Sequence, residues 1–553
     1  MTATRELYLV DVPLEAARER FFDALGDPPL ECERVSVTDA LDRVTASPVV
    51  ARLSSPHYYA CAMDGIAVAS AATRGAREGS PAVLTVGAEA VIVDTGDPLP
   101  ADCDAVVMIE DVELRDDGTV AIRAAAPPGQ HVRGIGEDVV ASEVVVGVLR
   151  RLRPADLAAI ASAGVTEIDV VRRPRVGIVA TGNELVDPSI AVPPRGAILD
   201  SNGVLLETSV QQYGGTARRY PRVIDDEAEL AAALDLAIEQ CDIVAVNAGS
   251  SAGTEDFTAR IFARRGDLLV HGVAIRPGHP VVLGVARHGE RIVPLLGLPG
   301  YPVSAALCAE LFLRPLVERF ARIDPPLAEE IDVVVARKIF SSIGDDEYVR
   351  AVAARIGERV VAFPLQRGAA TIAVLSRANC LITIPRFQEG LHAGTIVRAR
   401  ALRSRLAIER ALLAVGSHDV AIDLLAAVLA PRGIEIASAN VGSIAGLVAL
   451  ANEAAHLAGT HVLDPQTETY NDAAVRRYVP GEEVALMHFA EREQGLIVAR
   501  GNPLGLRHLR DVADRGARFV NRQKDAGTRI LLDVLLARDG IASHAIAGYE
   551  RIE

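Results

Sequence analysis

Between residues 174 and 322, short apolar runs that end on glycine alternate with segments of helical period, and this alternation constrains the fold more than any other feature. RVGIVATG (175–182) and DIVAVNAG (242–249) read as buried strands. LLETSVQQYGG (205–215), ELAAALDLAIEQC (229–241) and DFTARIFARRG (256–266) read as helices, and RIVPLLGLPG (291–300) runs into the helical SAALCAELFLRPLVERF. Strands exchanged with helices of this length imply a parallel sheet with helices on both faces, a three-layer α/β domain. Ligands of such sheets sit outside the carboxyl ends of the strands.

The flanking sequence divides around this domain. Residues 1–50 open with a helix over Pro13–Leu25, where Leu14, Ala17, Phe21 and Leu25 share a face. Together with a strand and helix in 143–173 they form an elongated linker domain. Residues 51–142 carry short strands punctuated by turns, the pattern of a β module. Residues 323–402 return to strands without long helices, which suggests a small barrel. Residues 403–553 are a second α/β region in which strand, turn and helix recur at IERALLAVGSHDVAIDLL, EIASANVGSIAGLVAL, GLIVARGN and ARFVNRQKDAGTRILLDVLL.

Composition excludes several classes of function. The net charge of −16 leaves no basic excess for non-specific nucleic-acid binding. No run of 18 apolar residues offers a membrane-spanning helix. The first residues lack the layout of a signal peptide, and six cysteines without a C-x-x-C pair fit reduced thiols, so the expected location is cytoplasmic.

Five loops fall at strand ends: ATGNEL, DSNG, NAGSSAGTEDFT, AIRPGHP and GLPGYPVS. Gly, Ser and Thr donors beside an acidic pair, as in NAGSSAGTEDFT, suit a phosphate accompanied by a hard divalent cation. The same loop is also an ordinary turn with an N-cap before a helix. AIRPGHP brings Arg276 and His279 to the edge of an acidic protein, and it is equally a surface turn set by Pro277 and Gly278.

AMDGIAV (62–68), DTGDPLP…DAVVMIED (94–111), VATGNELV, DSNG, NAGSSAGTEDFT, AIRPGHPVVLG and LGLPGYPVSA, in this order, resemble the molybdopterin molybdotransferases, over residues 1 to about 402. The resemblance implies an elongated four-part body of linker domain, β module, pterin-binding α/β domain and small C-terminal β-barrel. It implies a homodimer that uses Mg²⁺ to insert molybdate into adenylylated molybdopterin with release of AMP. Carried over by motif, Asp64 and Thr95 are catalytic residues of the β module that face a pocket of the partner subunit. Glu184 and Asp256 are catalytic and hold Mg²⁺. Asp200, Gly249, Ser250 and Ser251 bind the pterin nucleotide, and Arg276, His279, Pro299 and Ser304 line the molybdate site. The sequence departs from the family pattern at several of these places. Arg276 and His279 stand where the family has lysines, and Tyr301 stands for Asn in GLPGNP. Ala248 precedes Gly249 where two glycines are usual, and GAATIAVLS (368–376) has Ala where many members place Ser.

The turns GSHD (416–419), VGSIAG (441–446) and NRQKDAGTR (521–529) give residues 403–553 a resemblance to type II periplasmic-binding-protein-like domains, which implies a ligand site at Ser417, Ser443, Thr528 and Arg529. Helix caps in a degenerate domain are the bland alternative. Only HAIAGYERIE follows the last predicted helix, so the second lobe is expected to be incomplete, through truncation or through loss of part of its cleft.

These readings converge on a molybdotransferase acting on molybdate and adenylylated molybdopterin, with a pterin adenylyltransferase as a candidate partner. A non-catalytic molybdate, tungstate or cofactor carrier is the rival reading. A molybdopterin adenylyltransferase is a second rival, disfavoured by the β module that carries AMDGIAV.

Overall fold

The computed structural model describes residues 11–248, 254–325, 327–481, 484–523 and 526–552, with 254–256 in backbone only. At its centre is a six-stranded sheet. Strands Thr216–Arg219, Arg175–Ala180, Ile243–Asn247 and Arg291–Leu298 lie side by side and parallel. Val282–His288 and Gly266–His271 then extend the sheet antiparallel, so it is mixed and not the parallel sheet expected. The reason is the two-residue connection at Gly289–Glu290, which folds Arg291–Leu298 back on its predecessor; a parallel neighbour would need a crossover of a dozen residues.

Helices cover both faces. Leu206, Val210, Phe312 and Leu316 pack on one face of Val176 and Ile178, while Leu230, Leu234, Ile261 and Phe262 pack on the other. Helix Leu14–Leu25 also belongs here: Leu14, Ala17, Phe21 and Leu25 are buried in the α/β core and not in the linker domain. The rest of the N-terminal segment pairs with 143–173 through Cys32–Ser36 against Glu167–Val171 and Val49–Val50 against Val144–Val146. The β module consists mainly of two three-stranded sheets, around Gly65–Val68 and Thr119–Ile122.

The barrel closes through five strands: Asp346–Ile356, Arg359–Pro364, Glu330–Val335, Ile396–Ala401 and Cys380–Ile384, which pairs back to Asp346–Ile356. Ile275–Arg276 of the α/β domain adds to the start of Asp346–Ile356, joining the two bodies by backbone hydrogen bonds. A helix, Ile372–Arg377, interrupts the strands within GAATIAVLS.

Leu412–Gly416, Ile436–Asn440 and Leu457–Gly459 form a parallel sheet in the C-terminal region. Leu413, Val415, Ala437 and Ala439 share one buried cluster with Val352, Ala354, Val361 and Phe363 of the barrel. Alternation along Asp346–Ile356 makes this possible, with Val349, Ala351 and Ala353 facing the barrel interior and Val352 and Ala354 facing the C-terminal sheet. Two expected strands do not form. In GLIVARGN, Ile497 is fully exposed, and ARFVN contributes a single bridge, Asn521 to Ile552. A separate cluster around Val512, Leu532, Leu536 and Ile546 makes up the second lobe, held by helices.

Candidate functional site

The carboxyl edge of the central sheet is sewn together by two asparagines. Asn247 ends its strand and donates Nδ2 to Pro299 O at 3.0 Å, while its Oδ1 accepts from Asn202 Nδ2 at 3.0 Å. Asn202 also donates to Gly300 O at 2.7 Å. This leaves Asn202 Oδ1 buried without a partner, and Thr181 Oγ1 beside it is in the same state. Thr181 is 1% exposed and Asn202 8%. Buried polar atoms are almost always paired, so two orphaned oxygens at one strand edge mark where the polar groups of a ligand belong.

The next turn supplies acid. Gly182 adopts φ +149°, and a Cβ there would stand 3.1 Å from both carboxylate oxygens of Glu184, so glycine lets that side chain fold back over the turn. The Glu184 carboxylate makes no hydrogen bond among the described residues. Asp225 donates its backbone N–H to Asn183 Oδ1 at 3.3 Å, and its Oδ1 is buried without a partner. Its neighbour Asp226 is spent on capping helix Glu227–Gln240. The side chain of Asp256, and Gly249, Ser250 and Ser251, lie outside the described residues.

Glu184 and Asp225 fit the needs of Mg²⁺, which takes one or two protein carboxylates and fills its octahedron with phosphate and water. No group of three His, Cys, Asp or Glu side chains forms a cage among the described residues. The acid donor set therefore suits a cation shared with a phosphorylated ligand.

Asp200 has no free carboxylate. One oxygen caps helix Ser201–Gln212 through Gly203 N at 2.8 Å, and the other pairs with Arg219 at 2.7 Å. It lines a cleft of about 640 Å³ with Asp187, Glu207, Arg219 and Arg222, so its part is to hold Arg219 at the rim. Arg276 and His279 are brought together, and each faces a carboxylate. Arg276 Nε lies 2.6 Å from Asp345 Oδ2, and His279 Nε2 lies 3.1 Å from Asp11 Oδ1 with its other nitrogen 3.8 Å from Asp345. Ser304 is buried in the first turn of Pro302–Cys308, and Val303 N–H in the same turn bonds Ala369 O of the barrel at 3.0 Å. Pro299 is fixed by Asn247.

Asp64 and Thr95 meet directly. Thr95 donates its backbone N–H and its hydroxyl to Asp64 Oδ1, each at 2.7 Å, and these bonds hold the exposed carboxyl below its ordinary pKa. Neither residue hydrogen-bonds to the α/β edge among the described residues.

In the C-terminal domain Ser417 and Ser443 are joined, Oγ to Oγ at 2.8 Å. Arg529 does not join them. It is 6% exposed, lies 3.8 Å over the Tyr549 ring, donates to Tyr549 O at 3.1 Å and pairs with Asp533, so it ties Tyr549 to helix Gly527–Arg538. Thr528 is exposed in the first turn of helix Gly527–Arg538.

Sequence reasoning missed Asp225, Asn202, Thr181 and Asp345. The signal for Asp225 was present: in DDE before a helix only one Asp can cap, which leaves the other unexplained. Asn202 and Asn247 lie inside DSNG and NAGSSAGTEDFT, and nothing local in those motifs tells that the two side chains meet.

Unpartnered buried oxygens beside a carboxylate, at the strand ends of a three-layer sheet, are the chemistry of a small-molecule site. The family model "MoeA N-terminal region (domain I and II)" matches residues 12–164, "Probable molybdopterin binding domain" matches 177–319, and "MoeA C-terminal region (domain IV)" matches 332–402. "PBP superfamily domain" matches 426–553. Molybdopterin molybdenumtransferase 2 of Mycobacterium tuberculosis is 32% identical over 385 residues, 65% of this chain and 93% of its own. Molybdopterin molybdenumtransferase of Synechococcus elongatus is 30% identical over 405 residues, 70% of this chain and 98% of its own. A crystal structure of the molybdopterin biosynthesis MoeA protein from Pyrococcus horikoshii superposes with a TM-score of 0.53 at 27% identity, covering 71% of this chain and 100% of that one. The chain belongs to the molybdopterin molybdenumtransferase family, with a periplasmic-binding-protein-like domain behind the family body.

Proposed function

We propose that the chain is a molybdopterin molybdotransferase, which places molybdate in the dithiolene of adenylylated molybdopterin and releases AMP. The observation that carries this reading is the set of unpartnered polar atoms at one sheet edge, namely Thr181 Oγ1, Asn202 Oδ1 and Asp225 Oδ1 beside Glu184. The orphaned oxygens of Thr181 and Asn202 meet donors and acceptors of the pterin nucleotide. Glu184 and Asp225, with Asp256, would hold Mg²⁺, which when bound offsets charge on the phosphate being cleaved. Water attacks the adenylyl phosphorus, the P–O bond to the oxygen shared with the molybdopterin phosphate breaks, and AMP departs carrying the water oxygen. The two dithiolene sulfurs bond to molybdenum as one molybdate oxygen leaves as water with the thiol protons. The contribution of the chain is positioning: the Asn202–Asn247 pair fixes the Pro299–Gly300 turn against the strand ends, so the ligand meets a formed site.

Three further parts of the reading go with it. The active unit is a homodimer in which Asp64 and Thr95 serve the edge of the other subunit. The enzyme works in the cytoplasm, with a pterin adenylyltransferase supplying its substrate. The C-terminal domain is a small-ligand module.

AMP release from adenylylated molybdopterin, measured with and without molybdate and Mg²⁺, tests the reaction. One observation favours the carrier reading instead: Asp345 already occupies Arg276. Molybdate retention without AMP release would establish a carrier.

A further inference from the structure

The linker domain, the α/β domain and the barrel meet around a cavity of about 620 Å³. It lies at the amino ends of the central strands. Strand Arg175–Ala180 begins two residues after Arg173, which lines the cavity, and its six residues put about 20 Å of sheet between the cavity and the Thr181 edge. Five guanidiniums line the cavity: Arg43, Arg151 and Arg173 from the linker domain, Arg314 from the α/β domain and Arg400 from the barrel. Three carboxylates, Asp42, Glu310 and Glu318, stand against them.

These carboxylates are committed. Glu310 accepts from Arg314 at 2.6 Å, from Arg400, and from the Tyr213 hydroxyl at 3.1 Å. Glu318 accepts from Arg314 at 2.8 Å, and Asp42 accepts from Arg151 Nε at 3.1 Å. Burial opposes the charge on Glu310, yet Arg400 and Arg314 hold its carboxyl below the ordinary pKa, so it stays an anion. Arg43 is buried, bonds Val171 O at 2.8 Å and pairs with Glu33. Arg173 is left over. Its guanidinium has no hydrogen bond or ion pair among the described residues, and neither do the side-chain amides of Gln211 and Gln212 on the same cavity wall. A network built only to join domains would balance its charges, whereas this one keeps a surplus of cations and donors around a volume of ligand size.

We propose that this junction cavity binds a small organic polyanion, a tricarboxylate or a sugar bisphosphate, which bridges guanidiniums of the linker domain and the barrel. The proposal goes beyond the transferase reading and does not depend on it, because the Thr181 edge lies at the opposite ends of the strands. Guanidiniums bond carboxylate and phosphate oxygens in pairs, so several of them around one volume select an anion with more than one such group. The cations come from three domains, and the bound anion therefore ties the linker domain, with the β module it carries, to the barrel. Asp42 competes with the anion for Arg151, which gives the site a signature that a purely structural network lacks.

The test is isothermal titration of the full chain with citrate, a hexose bisphosphate and inorganic phosphate in separate arms, at ionic strength matched with sodium chloride. One of the two organic anions should saturate at one per chain and raise the melting temperature, since it binds the assembled domains and not the unfolded chain. Arg173 and Asp42 are exposed, so their variants leave the core intact. Arg173→Gln should weaken binding about tenfold, the loss expected for a charged hydrogen bond. Asp42→Asn should tighten it about threefold, because Arg151 is freed. Glu184→Gln should bind with wild-type affinity, which separates this cavity from the Thr181 edge. Saturable binding by neither organic anion would overturn the proposal, as would binding that is unchanged in Arg173→Gln or lost in Glu184→Gln. Inorganic phosphate that binds as tightly as the organic anions would overturn the bridging role.

Discussion

Arg276 and Asp345 form an ion pair of 2.6 Å in which the guanidinium is half-exposed and the carboxylate side chain is 8% exposed. The cation that the sequence offers to an oxyanion is thus already engaged by the residue just before a barrel strand. Asp345→Asn should release Arg276 and relieve His279 of one acidic neighbour. A gain of about 1 kcal/mol, roughly fivefold in molybdate affinity, is the low end of one unit charge at contact distance, chosen because the site is open to water. Dialysis against molybdate reads it. Unchanged affinity would place the oxyanion away from Arg276.

Glu184→Gln, Asp256→Asn and Asp225→Asn should each lower Mg²⁺-dependent AMP release by at least about a hundredfold, the usual scale for loss of a positioned charge. The Glu184 and Asp225 variants should retain wild-type circular dichroism, since neither carboxylate makes a hydrogen bond among the described residues. Asp225 is the sharpest of the three, because a residue that only supports the turn through its backbone N–H would tolerate Asn.

Mixing Asp64→Ala chains with Asp256→Ala chains should restore part of the activity that each lacks alone. Roughly a quarter of wild-type turnover per total chain is the statistical expectation when half the dimers are mixed and each has one intact site. Heterodimers that form and remain inactive would show that both residues serve the same subunit's site.

Thr95→Val removes the hydroxyl bond that does most to hold Asp64 low. The carboxyl should then titrate closer to the ordinary range of about 3.9. The sign follows from linkage: a depressed folded-state pKa contributes stability that is present above the unfolded value and is lost as pH falls through the folded one. The wild type should therefore keep this contribution to a lower pH than the variant. Carboxyl ¹³C titration of Asp64 reads the shift directly.

The α/β domain and the barrel were legible because their apolar residues alternate with the period of the element they form, in strands such as Ile243–Asn247 and helices such as Leu14–Leu25. What escaped was set by partners distant in sequence. Nothing in RIVPLLGL tells that it doubles back on its neighbour until Gly289–Glu290 is recognised as the whole connection. The GLIVA run has strand composition, yet composition cannot supply the edge it would pair with. Asp64, Thr95, Arg276 and His279 stand out by motif, but the bonds of Asp64 to Thr95 and the pairing of Arg276 and His279 with Asp345 depend on the fold. The contacts of Arg529 show the same limit: its local turn resembles a ligand loop, while Tyr549 and Asp533, which it meets, lie beyond that turn.

Val352, Ala354, Val361 and Phe363 line the outside of the barrel and are covered by the C-terminal sheet. Cutting the chain after residue 402 would leave these side chains facing water, the condition under which a soluble surface becomes sticky. The junction thus works as a ratchet: a domain joined by a linker can be shed again by one deletion, whereas this one can be shed only if the barrel first regains a polar exterior. Heating should accordingly melt barrel and first lobe in one transition.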